Sequence, residues 1–259
     1  MGAARDRQAD ASDILSEANR PRRTPLVIRG VMFDLDGTLL EIALEAFIRR
    51  YSTELASALS RVPGRTIDSE RALGAVQDAM RCMMEPHNGT NQQAFSERFR
   101  VLTGEDLESA GFRTALDGFC ADVVPALRNG AGPKAGGRQV VETAIGLGLK
   151  VVIATNPIFP LAVIEERTRW ADVVDLGVAA ITSWENTSAT KPYPAYFFEA
   201  CALAGLRPSE CLMVGDDRSL DLPAADMGMR TYYVGSHAAA TADWSGDLVA
   251  LAGLLPRLI

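Results

Sequence analysis

The run Val31-Met32-Phe33-Asp34-Leu35-Asp36-Gly37-Thr38 constrains the fold more than any other stretch, because an apolar segment ends abruptly in two carboxylates and a turn residue. A strand that is apolar on both faces belongs in the middle of a parallel sheet covered by helices, and such sheets bind ligands outside the carboxyl ends of their strands. Asp34 and Asp36 stand at that end. Side chains alternate along a strand, so acids two residues apart can face the same side, and Gly37 lets the backbone turn sharply beside them. One carboxylate is suited to attack and the other to moving a proton. An Asp-Gly turn is common in itself, so the weight rests on the polar clusters further along the chain.

From Gly136 onward the pattern alternates. A helix is predicted near 137–147, a strand at 149–154, a helix after Pro157 and a strand near 173–180. A helix at 194–204 and strands at 211–214 and 231–234 come next, and such alternation predicts a parallel sheet with helices on both faces. Ser245 is read as the N-cap of a last amphipathic helix over 245–255. The segment 41–125 differs. Phe47, Tyr51, Leu55 and Leu59 recur at intervals of four, and helical spacing continues through 66–84, 92–102 and 106–127. The chain is therefore α/β: a core of residues 26–40 and 126–259, interrupted by a helical insert over 41–125. Residues 1–25, rich in both arginine and acid, read as a mobile tail rather than a secretory signal or transit peptide.

Three further polar clusters lie along the chain: Thr155-Asn156 and Gly215-Asp216-Asp217, each after an apolar run and the latter with Asp221 beyond, and Lys191-Pro192 between them. In this order, with Asp34-Leu35-Asp36-Gly37-Thr38, they resemble the four motifs of the haloacid dehalogenase-like (HAD) superfamily. The first and fourth are the discriminating ones, and the resemblance spans roughly residues 27 to 235. It implies a Rossmann-like core with an all-helical cap inserted between the first and second motifs, which is the division already read from the periodicity. A cap hinged over the strand ends would exclude water and meet the leaving group.

By this resemblance Asp34 is the nucleophile that forms an aspartyl-phosphate. Asp36 protonates the leaving alcohol and then deprotonates the water that breaks the intermediate. Lys191 balances the charge of nucleophile and phosphate. Thr155 and Asn156 contact phosphate oxygens, with backbone amides at the start of the helix beyond Pro157 assisting. Magnesium, which takes oxygen ligands and keeps several waters, would be held by Asp34, Asp216 and the backbone carbonyl of Asp36. Asp217 and Asp221 either assist the metal through water or orient Lys191 and the loop. The implied activity is a magnesium-dependent phosphatase acting on a small phosphorylated metabolite. A phosphomutase and a non-catalytic binder of the same fold are alternatives; Asp36 speaks against a dehalogenase, and the absence of lysine between Asp36 and Lys134 speaks against a phosphonatase.

Composition narrows the partners. A formal charge of −7 and no dense Lys/Arg cluster after residue 25 argue against a nucleic-acid surface. No stretch is long and apolar enough to span a bilayer, and the protein is expected to be soluble and cytoplasmic. Cys82, Cys120, Cys201 and Cys211 are widely spaced, with only His87 and His237 beside them, so neither a zinc site nor a disulfide framework is expected. Neither histidine is assigned a role. No feature of the sequence sets an oligomeric state or identifies the substrate.

Overall fold

The computed structural model describes residues 27–64, 67–235 and 241–259. The expected N-terminal tail and His237 lie outside the described residues.

Strand β1 (Gly30–Phe33) is buried along its whole length. It lies between β4 (Lys150–Ile153) and β6 (Cys211–Gly215), and its alternating side chains divide between two cores. Val31 and Phe33 enter a large cluster that continues into the helical insert, while Met32 joins Val152, Met213, Tyr196 and Phe197 on the opposite face. Both faces are thus covered, as the apolar run requires. With β5 (Ala180–Ile181), β7 (Arg230–Val234) and β8 (Trp244–Gly246), the six-stranded sheet has the order β5-β4-β1-β6-β7-β8, and every pairing is parallel.

The register is what builds the site. Phe33 pairs with Ile153 on one side and Val214 on the other. The Asp34 amide donates to the Val214 carbonyl at 2.8 Å, and the Ala154 amide to the Phe33 carbonyl at 2.6 Å. The three strands therefore end level with one another, and the first polar residues after each emerge at one place.

The chain leaves this core through β2 (Leu40–Glu41) and returns through β3 (Gly132–Pro133), which pair antiparallel and staple the two ends of the insert together. Between them lie helices α1 (Leu44–Ser60), α2 (Ser69–Met83), α3 (Asn91–Thr103) and α4 (Ala110–Gly118). Helix α3 opens with a capping box, Thr90 with Gln93, and ends at Gly104 in the left-handed region. The core helices are α5 (Gly137–Gly146), α6 (Leu161–Trp170), α7 (Pro194–Leu203) and α8 (Leu248–Leu254).

Several local expectations need correction. The strand expected over 173–180 shrinks to Ala180–Ile181, because Asp172 and Gly177 both adopt positive φ and break the extended run. Ser245 does not cap the last helix. It lies within β8, and Asp247 is the cap, accepting the Ala250 amide at 2.7 Å. The helix expected over 106–127 begins at Ala110 and passes into a π turn (Phe119–Val123) and then a 3-10 turn at Pro125, where proline cannot supply the helical amide.

The insert sits firmly on the core. Phe47 and Tyr51 of α1 meet Phe159 with ring centroids 5.6 and 4.9 Å apart, and Phe47 meets Trp170 of α6 at 5.8 Å. On the other flank Asn91, fully buried at the start of α3, donates through Nδ2 to the Pro157 carbonyl, Thr187 Oγ1 and the Ala189 carbonyl at 3.1 to 3.2 Å. Among the described residues no helix is long and apolar enough to cross a membrane, and all four cysteines are free.

Candidate active site

Asp34 follows β1 directly and is almost wholly buried. Lys191, in the loop before α7, points its ammonium between two carboxylates: Nζ lies 2.7 Å from Asp34 Oδ1 and 2.6 Å from Asp221 Oδ1. The Asn156 side-chain oxygen accepts the Lys191 amide at 3.1 Å, which fixes the backbone from which the lysine reaches inward. Asp216 follows β6, and one of its oxygens accepts the Thr38 hydroxyl at 3.0 Å. Carboxylate oxygens of Asp34, Asp216 and Asp221 all lie within 4.8 Å of one another.

Two glycines permit this crowding. Gly37 has φ +79, and a Cβ there would run into the Asp216 carboxylate; a Cβ on Gly215 would overlap that of Asp221. Backbone must approach carboxylate closely at both positions, which only glycine allows.

The electrostatics follow from the excess of negative charge. Burial pushes the Asp34 carboxyl up to about 8; Lys191 works against this, while Asp221 and Asp36 reinforce it. Burial likewise raises Asp216, with Asp221 adding to the effect against the Thr38 hydrogen bond. Burial alone would lower Lys191, but the Asp221 and Asp34 carboxylates outweigh it, and the ammonium stays charged far above neutral pH. One lysine cannot balance this set of acids. Carboxylates held together without a cation repel, so the cluster is arranged for a further positive charge.

Asp36 is differently placed. Its Oδ1 forms an ion pair with Nη2 of Arg167, a wholly buried residue of α6. Its carboxylate is therefore not part of the cluster formed by Asp34, Asp216 and Asp221, which leaves its backbone carbonyl as the group the resemblance assigns to a metal. Nothing in the motifs singles out Arg167. The signal that could have found it is helical spacing: Val163, Ile164, Arg167 and Trp170 share the buried face of α6, whereas Arg169 lies off that face and its side chain is exposed.

The remaining expected residues divide in role. Thr155, buried at the end of β4, lines the cavity above Asp34, and its carbonyl accepts the hydroxyls of Thr182 at 2.8 Å and Tyr196 at 2.9 Å. The helix-start amides expected beyond Pro157 do not serve this site. Helix α6 begins only at Leu161, and the Leu161 amide donates to Glu185 at 3.0 Å. Pro194 opens α7, as the expected helix over 194–204 has it. Asp217 curls back on its own loop, accepting Ser219 N at 2.7 Å, Ser219 Oγ at 2.6 Å and Leu220 N at 3.1 Å. Burial opposes ionisation of Asp217, yet those bonds hold its carboxyl below the usual range. Asp221, besides pairing with Lys191, accepts the Asp217 amide at 3.0 Å. It thus orients the lysine and the loop together. His87 stands in an insert loop with Nδ1 2.8 Å from the Glu85 carbonyl and does not line the site.

A cavity of about 370 Å³ opens over Asp34, Asp36, Thr155, Lys191 and Asp216, walled by Ile42, Leu44, Ile48, Met84, Ile158 and Phe159. A larger cavity of about 540 Å³ lies between the insert and α6, and none of the expected site residues lines it.

A family model of the haloacid dehalogenase-like hydrolases matches residues 28–226. The chain belongs to this family. No curated protein sequence matches this HAD-like hydrolase, but solved structures resemble it over most of its length. A HAD phosphatase from Thermococcus onnurineus is 21% identical with a TM-score of 0.54, covering 88% of this chain and 98% of the other. A HAD family hydrolase from Deinococcus radiodurans, solved with bound phosphate and sodium, is 17% identical with a TM-score of 0.52, covering 90% and 97%. An L-2-haloacid dehalogenase from Xanthobacter autotrophicus is 17% identical with a TM-score of 0.51, covering 90% and 100%. At these identities the likeness speaks for the fold, and both phosphate and halide chemistry are found on it.

The donor set of the cluster fits a hard divalent cation. It is all oxygen, it carries more negative charge than Lys191 offsets, and the raised Asp34 and Asp216 carboxyls would be relieved by a cation between them. Lys191 and the Asp217 amide take both oxygens of Asp221, whereas Asp34 and Asp216 are each met at Oδ1 alone, by Lys191 and Thr38, which leaves Oδ2 of each to ligate directly.

Proposed function

We propose that this HAD-like hydrolase is a magnesium-dependent phosphatase that cleaves a small phosphate monoester through an aspartyl-phosphate. The observation that carries the reading is the bridge of Lys191 between Asp34 and Asp221 beside Asp216. It supplies a buried carboxylate nucleophile whose negative charge, and that of an approaching phosphoryl group, faces the fixed ammonium of Lys191. Phosphoryl transfer depends chiefly on such positioning and charge neutralisation.

In this reading one Asp34 oxygen attacks phosphorus while the bond to the leaving oxygen breaks. The Asp36 carboxyl gives its proton to that oxygen. Water then attacks the phosphorus of the acyl phosphate, Asp36 takes the water's proton, and the phosphorus–oxygen bond to Asp34 breaks to regenerate the carboxylate. Thr155 and Lys191 hold the phosphoryl oxygens. Magnesium, held by Asp34, Asp216 and the Asp36 carbonyl, would add electrostatic stabilisation of the transferring group. Asp217 braces its own loop through Oδ1, which accepts from Ser219 and Leu220.

The walls above the phosphate position carry Ile42, Leu44, Ile48, Met84, Ile158 and Phe159, which favours a leaving group with an apolar body. The acidic net charge disfavours nucleic acid as partner, and the free cysteines support a cytoplasmic setting.

The test is phosphate release from a panel of sugar, nucleotide, carboxylate and alkyl phosphates, with magnesium and with chelator, comparing wild type with Asp34→Asn. Magnesium-dependent release that disappears in the variant is the expected result. Release that survives Asp34→Asn would remove the nucleophile, and halide release from a 2-haloacid without any phosphate release would replace the reading altogether.

A further inference from the structure

Among the described residues, Arg167 is the one charged residue with no exposed surface. It is wholly buried, and none of Nε, Nη1 and Nη2 makes a hydrogen bond among the described residues. Its ion pair is with Asp36. Desolvating a guanidinium is expensive, and a buried ion pair is often no more stable than well-packed apolar side chains of the same volume. Stability is therefore a poor reason for an arginine here, and the surroundings suggest a better one.

The guanidinium carbon lies 5.1 Å from the centroid of the Phe47 ring and 5.0 Å from that of Phe159. Phe47 belongs to the first helix of the insert, and Phe159 lines the catalytic cavity. Two aromatic faces and one carboxylate thus fix the planar group from three directions, as arginine's rigid fork and affinity for aromatic rings allow. Asp36 Oδ1 is buried against it, while Asp36 itself lines the cavity. Oδ2 is accordingly the oxygen left for a leaving group.

We propose that Arg167 is the positioning residue of the proton-transfer step: by holding Oδ1 of Asp36, it presents Oδ2 to the leaving oxygen when the insert is seated on the core. This rests on the phosphatase reading. Arg167 touches no reacting atom, and its effect is confined to the step in which Asp36 gives or takes a proton.

Leaving-group dependence separates such a role from a structural one. Departure of p-nitrophenolate needs no proton, whereas departure of an alkoxide does. Arg167→Lys and Arg167→Met should lose kcat/KM on an alkyl phosphate by about tenfold or more, a fraction of what a general acid supplies, with kcat/KM on p-nitrophenyl phosphate falling far less, because kcat/KM covers only formation of the acyl phosphate and not the hydrolysis that both esters share. The ratio of the two rates is taken within one preparation, so it does not depend on how much of the variant is folded. Equal losses on both esters, or a gain on the alkyl ester, would overturn the proposal.

A second arm reads the pair without turnover. In chelator, Asp36→Asn should lower the thermal midpoint of the wild type but not that of Arg167→Met, since the charge left unpaired is already gone. An equal drop in both backgrounds would show that the two residues do not act as a pair and would overturn the proposal. A wild type inactive on both esters would sink the phosphatase reading and this role with it; an active wild type with equal losses sinks this role alone.

Discussion

Lys191→Met removes the single cation that the described residues place between Asp34 and Asp221. The lysine and Asp221 are nearly inaccessible and Asp34 scarcely more open, so water cannot replace the lost ammonium. Breaking a buried pair by removing one partner costs about 3–5 kcal/mol. For a chain of this size, that corresponds to a fall of roughly 6–20 °C in thermal midpoint. The loss also has a defined pH dependence. Asp34 already titrates near 8 with the lysine present, and Lys191 is what holds it down, so the variant's carboxyl rises further. An acid raised above its unfolded value binds more protons folded than unfolded, so stability falls as pH rises from about 4, the ordinary carboxylate range, through the folded pKa. Removing Lys191 extends that window upward. The variant should therefore lie closest to wild type near pH 5, where Asp34 can be neutral, and furthest from it near pH 8.5. Urea or thermal unfolding in chelator at the two pH values measures this directly. A midpoint unaffected by the substitution, or a deficit larger at pH 5 than at 8.5, would refute the argument that Lys191 compensates buried carboxylates.

Asn91→Ala deletes three hydrogen bonds that tie helix α3 to the loops around Pro157 and Thr187. Leaving their acceptors unmet should cost about 1–3 kcal/mol, and amide hydrogen exchange should quicken in α3 ahead of β1. Uniform exchange across both would show that the insert is not held there. Gly37→Ala places a Cβ against Asp216 on backbone at φ +79. It should cost about 1–3 kcal/mol in unfolding free energy, and calorimetry should show weakened magnesium binding; unchanged binding would mean that Asp216 does not ligate.

The parts of this fold that could be read from the sequence are those governed by local periodicity. β1, β4 and β6 are short apolar runs ended by polar residues, and the helices of the insert repeat their buried positions every three or four residues. Where two signals competed, the nearer one misled. Ser245 and Asp247 can both cap a helix, and the choice was made by the edge pairing of Trp244–Gly246 with β7, which no local pattern announces. The run Val173–Ala180 is apolar enough for a strand, but Asp172 and Gly177 turn the backbone and Arg138 holds Asp172 and Asp175 from another helix. Pro157 marked a helix start in the sequence, yet Glu185, far along the chain, supplies the cap at Leu161.

The site shows the same boundary between local and tertiary information in sharper form. Asp34 and Asp216 each follow an apolar run directly, and Lys191 is marked by the prolines that follow it, so their types and places point to their chemistry. What each acid does there is settled by a partner from elsewhere. Asp217 and Asp221 read alike as acids at a strand end; Ser219 and Leu220 turn one into a loop brace, and Lys191 turns the other into a counter-ion. Asp34 and Asp36, two residues apart, differ because one meets a lysine beside further carboxylates and the other meets an arginine walled by phenylalanines. Their environments, rather than their spacing, separate the two carboxylates, into nucleophile and proton carrier in the mechanism proposed above, and that separation is a tertiary product of α6 and α1 packing against the end of β1. An arginine moved off the buried face of α6 would leave every motif intact and still remove the distinction.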